Sequence, residues 1–286
     1  MKKILYFIQS LIVYIFFLIS KIIGLKLSRL LFSYIFKQFG SFFRSKKIIF
    51  NNLEIINSNI STDEKKRISE KMWSNYGKTF IEYVHLKKFK YKSEHITIKN
   101  KKILDQISNQ KKPVIFISGH FANYELMSME IIKSNIKLAT IYRPLNNFFL
   151  NPFMEFVRRN YVCKNQIKKG RNGVRDALNY LKKNYSIALM VDQRVSEGAK
   201  IPFFNKNAFT TTLPAQLSKR FGCEIVPIYI NRINKENFEM EVLDPISVPK
   251  NNENYKIQTT KKINEVIEKL IMKDPSQWIL THNRWK

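Results

Sequence analysis

His120 and Glu125 stand five residues apart in the run Gly119-His120-Phe121-Ala122-Asn123-Tyr124-Glu125, directly after the apolar stretch Val114-Ile115-Phe116-Ile117 and Ser118. An imidazole titrates near neutrality, so a histidine at the mouth of a cleft can take a proton from a substrate hydroxyl. A carboxylate five residues later, in the first turns of a helix, is expected to fold back towards the ring. There it would fix the tautomer and stabilise the imidazolium formed on proton abstraction. On spacing alone the plainer alternative stays open, with His120 a helix-entry residue and Glu125 part of a solvated face.

These side chains need a scaffold, and the chain from Pro113 onward supplies one. Short apolar runs at 114–117, 138–142, 187–191 and 225–230 alternate with segments of helical length and period at 121–134, 151–161, 174–184 and 211–221. Such a βαβ rhythm predicts an α/β fold with a largely parallel, mixed sheet flanked by helices. Phe238 to Val242 reads as a further strand, residues 254–273 as a charged amphipathic helix, and Asp274-Pro275 as the start of a short last one. Three strands end in polar residues: Ser118-Gly119-His120, then Arg143-Pro144, then Asp192-Gln193-Arg194. Strand ends of a parallel sheet share one edge, where open α/β folds place ligands, so His120, Arg143, Asp192 and Arg194 are expected to converge.

Ahead of this domain, Ile4 to Ser20 is an uncharged run of Ile, Leu, Phe and Tyr with Gln9 and Ser10 its interior polar pair, flanked by Lys2-Lys3 and Lys21. At about 1.5 Å per residue such a helix nearly crosses a hydrocarbon core of about 30 Å. It is too long and bulky for a cleaved signal peptide, so it reads as an anchor. Ile22 to Phe43 mixes apolar residues with Lys26, Arg29 and Lys37, as an amphipathic helix in the headgroup layer would. Residues 1–45 are therefore expected to form a membrane anchor, with 46–286 the catalytic domain. If the anchor spans, the positive residues after it place that domain on the cytoplasmic side. Next, Ser61-Thr62-Asp63-Glu64 is a capping box opening a helix whose Met72, Tyr76 and Phe80 fall on one face.

The formal charge of +28 suits an anionic partner, whether lipid headgroups, an acidic carrier protein or nucleic acid, although lysines scattered through the chain also fit a biased composition. With 44% hydrophobic content, 286 residues can bury a full core. Cys163 and Cys223 have no C-x-x-C spacing, and His85, His95, His120 and His282 show no metal-ligand spacing, so neither a disulfide framework nor a metal site is indicated. No G-x-S-x-G elbow supports a serine hydrolase. A membrane-tethered nucleic-acid-binding protein is the non-enzymatic rival suggested by the charge and the 13% aromatic content. No RNA- or DNA-binding signature supports it, and the aromatics fall mostly in apolar runs.

The run from Ser118 to Glu125 resembles the H-x-x-x-x-D/E motif of glycerolipid acyltransferases. It resembles more closely the G-H-x-G-N-W-E form of the lipid A secondary (lauroyl/myristoyl) acyltransferases, with Ala122 in place of Gly and Tyr124 in place of Trp. The resemblance extends to Met72-Trp73-Ser74-Asn75-Tyr76-Gly77 and on to Glu82, to Tyr142-Arg143-Pro144-Leu145-Asn146-Asn147, to Gly170-Arg171-Asn172-Gly173, to Val191-Asp192-Gln193, and to the segment from Pro275 through Trp278 to Trp285. It implies a glycerolipid-acyltransferase-like fold and transfer of a fatty acyl group from an acyl carrier protein thioester to a lipid hydroxyl, without an acyl-enzyme and without metal or cofactor. The implied setting is a bacterial inner membrane and the acceptor a phosphorylated lipid A precursor, with another glycolipid or a lysophospholipid as the alternative. His120 would be the base and Glu125 its support. Backbone amides at the start of the 121–134 helix are the candidates for holding the oxyanion. Arg143, Asn146, Arg171, Asp192, Gln193 and Arg194 are the candidate substrate contacts, the guanidinium groups suiting phosphate. For Arg171 and Arg194 surface ion pairing is an equal alternative, and Asp192 is open between positioning an arginine and acting on substrate.

Overall fold

The computed structural model describes residues 2–247 and 253–286, apart from the side chains of Phe43 and Arg171. Four helices come first: α1 (Lys2–Phe43), α2 (Lys46–Ile56), α3 (Thr62–Glu82) and α4 (Leu86–Tyr91). The α/β body then runs β1 (Ile96–Lys99), α5 (Lys101–Gln110), β2 (Ile115–Ser118), α6 (Glu125–Lys133), β3 (Leu138–Tyr142), α7 (Asn151–Val157), β4 (Asn165–Lys168), α8 (Arg171–Lys182) and β5 (Ser186–Met190). A hairpin follows, β6 (Ala199–Phe203) and β7 (Lys206–Thr210), then α9 (Leu213–Phe221), β8 (Ile225–Arg232), β9 (Phe238–Val242) and α10 (Tyr255–Lys273).

The main sheet has the order β1-β9-β8-β2-β5-β3-β4, and among these pairings β8 with β9 alone is antiparallel. This is the mixed, largely parallel sheet expected. β2 lies at its centre, with Ile117 opposite Leu189 of β5 and Pro227 of β8. Its side chains alternate between two cores: Ile115 and Ile117 belong to one, and Phe116 to the other. Burial on both faces explains why β2, β3, β5 and β8 read as continuous apolar runs. Strands β1 and β4 escaped the sequence reading because they are short, half-exposed edge strands with little apolar content. The β6–β7 hairpin also escaped it, its two-residue turn being Phe204-Asn205, both at positive φ, rather than an Asn-Gly pair.

Two helix boundaries differ from expectation for local reasons. The helix expected from residue 121 begins at Glu125, because Ala122 takes a left-handed conformation (φ +42) and the chain from Gly119 to Tyr124 is a loop. The helix expected over 151–161 is α-helical only to Val157 and continues through Arg158–Val162 as a π-turn. Ser61 caps α3 as its sequence predicts, its hydroxyl accepting from the Glu64 amide at 3.1 Å.

The apolar run and the amphipathic stretch form one kinked helix, α1, broken at Gly24 (φ +77, ψ 170), a conformation that favours glycine. The break frees carbonyls that a continuous helix would satisfy. A buried relay reclaims one of them: Ser28 Oγ donates to the Gly24 carbonyl at 2.6 Å, Ser20 Oγ bonds Ser28 Oγ at 2.8 Å, and His85 Nε2 lies 2.9 Å from Ser20 Oγ. The arm before Gly24 is long and apolar enough to be a membrane anchor. The arm after it packs on α3 so closely that a Cβ on Gly77 would lie 2.2 Å from the Phe32 carbonyl oxygen, and one on Gly40 2.2 Å from the Trp73 ring. Buried Glu82 at the end of α3 locks the contact, taking Arg29 Nε at 2.6 Å and Arg232 Nη1 of β8 at 2.6 Å. Residues 25–43 are thus built into the body.

Gly77→Ala should force these backbones apart, since a carbonyl cannot rotate away as a flexible side chain can. The expected loss is about 1–3 kcal/mol, read as a lower thermal unfolding midpoint of the detergent-solubilised protein, with secondary structure retained below the transition.

Candidate active site

β2 ends at Ser118, which is fully buried and donates from Oγ to the Ile228 carbonyl at 2.6 Å, fixing the end of the central strand against β8. His120 follows at the sheet edge, and the chain there is tied twice to Asp192, which stands just beyond β5. The His120 amide donates to Asp192 Oδ2 at 2.9 Å, and His120 Nδ1 lies 2.7 Å from Oδ1. The Trp278 indole Nε1 donates a third bond to Asp192, at 2.7 Å. Burial alone would push this carboxyl upward. The His120 ring and these hydrogen bonds more than offset it and hold Asp192 down at about 2, so it is a carboxylate at neutral pH. A carboxylate only accepts, so the bonded Nδ1 carries a proton and Nε2 is left as the basic nitrogen towards the cavity. The Tyr124 ring meets the imidazole edge to face, with centroids 4.7 Å apart.

Glu125 occupies a different place from the one its spacing suggested. Its Oε1 accepts from Tyr83 Oη at 2.6 Å and from Arg158 Nε at 2.8 Å, with Arg158 Nη2 at 2.7 Å. The reason is local: the left-handed turn at Ala122 sets Tyr124, not Glu125, against the imidazole, while the π-turn after α7 brings Arg158 to the glutamate. Position 122 is where the resembled motif carries glycine, the residue that suits a positive φ. Burial works against the Arg158 charge, but Glu125 and the neighbouring tyrosines raise its pKa, so it stays protonated. Burial and the Glu125 charge push Tyr124 up to about 12, and Tyr83 is also raised, so both phenols stay neutral donors.

A second buried carboxylate steadies the same loop. Glu82 Oε2 accepts from Asn123 Nδ2 at 2.9 Å, and Thr79 Oγ1 donates to the Ala122 carbonyl at 3.0 Å. The amides proposed for an oxyanion are partly engaged: that of Phe121 bonds the Gly119 carbonyl, and that of Ala122 bonds the Gln277 carbonyl, both at 2.9 Å. Each of these two amides thus has a carbonyl partner in this structure.

The residues meet in a cavity of about 380 Å³ at the sheet edge, with His120, Glu125 and Arg158 in its wall. Arg143, Asn146, Gln193 and Arg194 line it too, so the ends of β2, β3 and β5 converge as their sequence position implied. Asp192 is buried behind the histidine rather than in the wall, and its carboxylate meets the His120 ring rather than an arginine. Arg194 stacks over Phe209 at 5.4 Å. Lys169, another wall residue, has its pKa lowered first by burial and then by the nearby Arg143 charge, so two cations crowd one side of the cavity. The Arg171 side chain lies outside the described residues. A second, largely apolar cavity of about 250 Å³ adjoins the first, sharing Tyr124, Leu145 and Arg158, and reaches Val13 and Phe17 of α1. Arg158 and Tyr83 carry no local sequence signal as partners of Glu125. Trp278 was visible only as part of the resemblance, 86 residues from the aspartate it bonds.

A family model described as bacterial lipid A biosynthesis acyltransferase matches residues 1–286. The chain is 28% identical over 188 residues to the lipid A biosynthesis palmitoleoyltransferase of Escherichia coli (strain K12), an overlap of 64% of this chain and 59% of that protein. Identity and coverage are the same for the lipid A biosynthesis acyltransferase of Shigella flexneri. It is 22% identical over 253 residues to the lipid A biosynthesis lauroyltransferase of Escherichia coli (strain K12), covering 85% of this chain and 79% of that protein. The chain thus spans 59% of the length of the first two relatives and more of the third.

The Asp192 carboxyl holds its charge to a lower pH in the fold than the ordinary 3.8. Its contribution to stability is therefore present above about pH 4 and lost as pH falls towards about 2. Over that interval the wild type should lose about 2 kcal/mol more stability than Asp192→Asn, measured by denaturant titration at stepped pH. Parallel curves for the two proteins would contradict the assignment.

Proposed function

The chain belongs to the bacterial lipid A biosynthesis acyltransferase family, and from that premise we propose that it moves a fatty acyl group from an acyl carrier protein thioester to a hydroxyl of a lipid A precursor. The observation that carries this reading is the Asp192-held His120, with Nε2 left basic at a cavity that also holds a fixed cation. His120 Nε2 takes the proton of the acceptor hydroxyl as its oxygen attacks the thioester carbonyl. Asp192 keeps the ring in the productive tautomer and balances the imidazolium. The tetrahedral oxyanion needs a positive partner, and with the Phe121 and Ala122 amides engaged, Arg158 is the group in the wall that fits. When the intermediate collapses, the carbon–sulfur bond breaks, the ester remains on the acceptor, and the thiolate takes the proton from His120.

On this reading Glu125 acts through Arg158 and Tyr83 rather than through the histidine. It fixes the guanidinium in one orientation before the oxyanion forms. Arg143 and Lys169, crowded together on one side of the cavity, suit a phosphate on the acceptor, where two cations share one anion. The adjoining apolar cavity suits the hydrocarbon of the donor, with its reacting end near Arg158. The chain acts at a membrane, held there by the apolar arm of α1, with the catalytic body on the cytoplasmic face of the inner membrane, where acyl carrier protein is available.

His120→Ala and Glu125→Ala should each reduce acyl transfer by roughly 10²- to 10⁴-fold while folding and membrane binding persist, measured with acyl carrier protein thioester and lipid acceptor by mass of the product. Full activity in a folded His120→Ala protein would refute the proposal. Arg143→Ala should raise KM for a phosphorylated acceptor and leave that for its dephosphorylated form little changed. An equal effect on both would remove the phosphate role.

A further inference from the structure

The arm of α1 before Gly24 is apolar on nearly every side. Ile4, Phe7, Leu11, Ile15, Leu18 and Ile22 are all exposed. One stripe is covered along the arm's length by the body. Ser20 meets His85, Phe17 meets Phe153 with ring centroids 5.3 Å apart, and the Tyr14 hydroxyl donates to the Phe149 carbonyl at 2.9 Å. Further towards the amino end Phe7 meets Phe149 at 5.5 Å, and Asn147 Nδ2 donates to the Tyr6 carbonyl at 2.8 Å.

The contacts therefore run from Ser20 back to Tyr6, about 21 Å at 1.5 Å per residue. Were the arm upright across a hydrocarbon core of about 30 Å, the 145–150 loop would be carried past the bilayer midplane. That loop includes exposed Asn146, follows exposed Arg143, and lines the polar cavity. Drawing those groups through hydrocarbon costs several kcal/mol each.

A surface-lying arm removes the conflict. An interfacial helix needs a polar side because that side meets water, whereas here the body covers it, so the arm needs none. The loop beside it is built for a dry surrounding. Asn147 is buried; its Oδ1 accepts the Phe149 amide, its carbonyl accepts the Leu150 and Asn151 amides, and Asn151 Oδ1 accepts the Leu145 amide. With the Leu145, Phe149 and Leu150 amides paired within it, the loop presents Phe148 and Phe149 at the surface, 49% and 37% exposed. Lys3 at one end of the arm and Lys26 just past the other are both exposed, as charges at one headgroup layer would be.

We infer that the arm lies within a single leaflet and does not cross the bilayer, with the Phe148-Phe149 loop as a second inserted element beside it. The cavity containing His120, whose wall includes Pro144, Leu145 and Asn146 of that loop, then lies at the headgroup layer. An acceptor lipid reaches the base by sliding along that layer. This inference rests on the reading of α1 as a membrane anchor.

The test uses the full chain bound to sealed inverted inner-membrane vesicles, with Lys3→Cys and Lys26→Cys treated with an impermeant maleimide; the native Cys163 and Cys223 are buried. Both should label from the outside without permeabilisation. Phe148→Trp, in vesicles containing brominated lipid, should be quenched strongly compared with Tyr91→Trp, which replaces an exposed residue of α4. Labelling of Lys3→Cys only after permeabilisation would show a crossing arm and overturn the inference while leaving the anchor reading intact. Same-side labelling with unquenched Phe148→Trp would overturn the inserted loop. A chain washed from the vesicles by salt would overturn the inference together with the anchor reading.

Discussion

A carboxylate with no exposed surface has to be answered by positive charge, and Glu82 is answered by three elements of the chain at once. Arg29 comes from α1 and Arg232 from β8, while Asn123 from the histidine loop adds a neutral bond. Burial works against the charge of Glu82, yet the two guanidinium groups lower its pKa, so the group is ionised and the arrangement is an ion cluster rather than a neutral contact. Breaking such a cluster on one side leaves an uncompensated buried charge, a loss of about 3–5 kcal/mol. Helix α1, the sheet and the histidine loop are therefore tied to one another through this side chain. The site is rigid because its supports cannot separate individually.

The two carboxylates nearest the cavity have different partners. Asp192 faces the imidazole and governs which nitrogen holds the proton; Glu125 faces a guanidinium and governs where a positive charge stands. Each is held by three donor contacts, from His120 and Trp278 in one case and from Tyr83 and Arg158 in the other. An imidazole and a fixed cation thus stand in one cavity wall.

The parallel sheet and the convergence of His120, Arg143 and Arg194 were legible because strands buried on both faces are continuous apolar runs, and the polar residues ending them share an edge. The partner of Glu125 was not legible. Arg158 lies 33 residues further on, and the π-turn that aims it leaves no signature in an apolar pattern. The same holds for Asp192: its place after β5 was readable, but its bond to the His120 ring depends on a loop whose turn is made by an alanine at positive φ. Edge strands β1 and β4 were missed since an edge needs little apolar content. Family resemblance supplied what spacing did not, namely the class of substrate to expect.

The indole that secures Asp192 is 86 residues downstream of it, and the neighbouring Gln277 secures the Ala122 loop. On the ribosome a chain is made in one direction, and α1 leaves the exit tunnel long before Trp278 is polymerised. Until then the aspartate lacks its third donor and the histidine loop lacks its tether. The apolar arm is thus made first, and the contacts that tie Asp192 and the histidine loop to the last segment close afterwards.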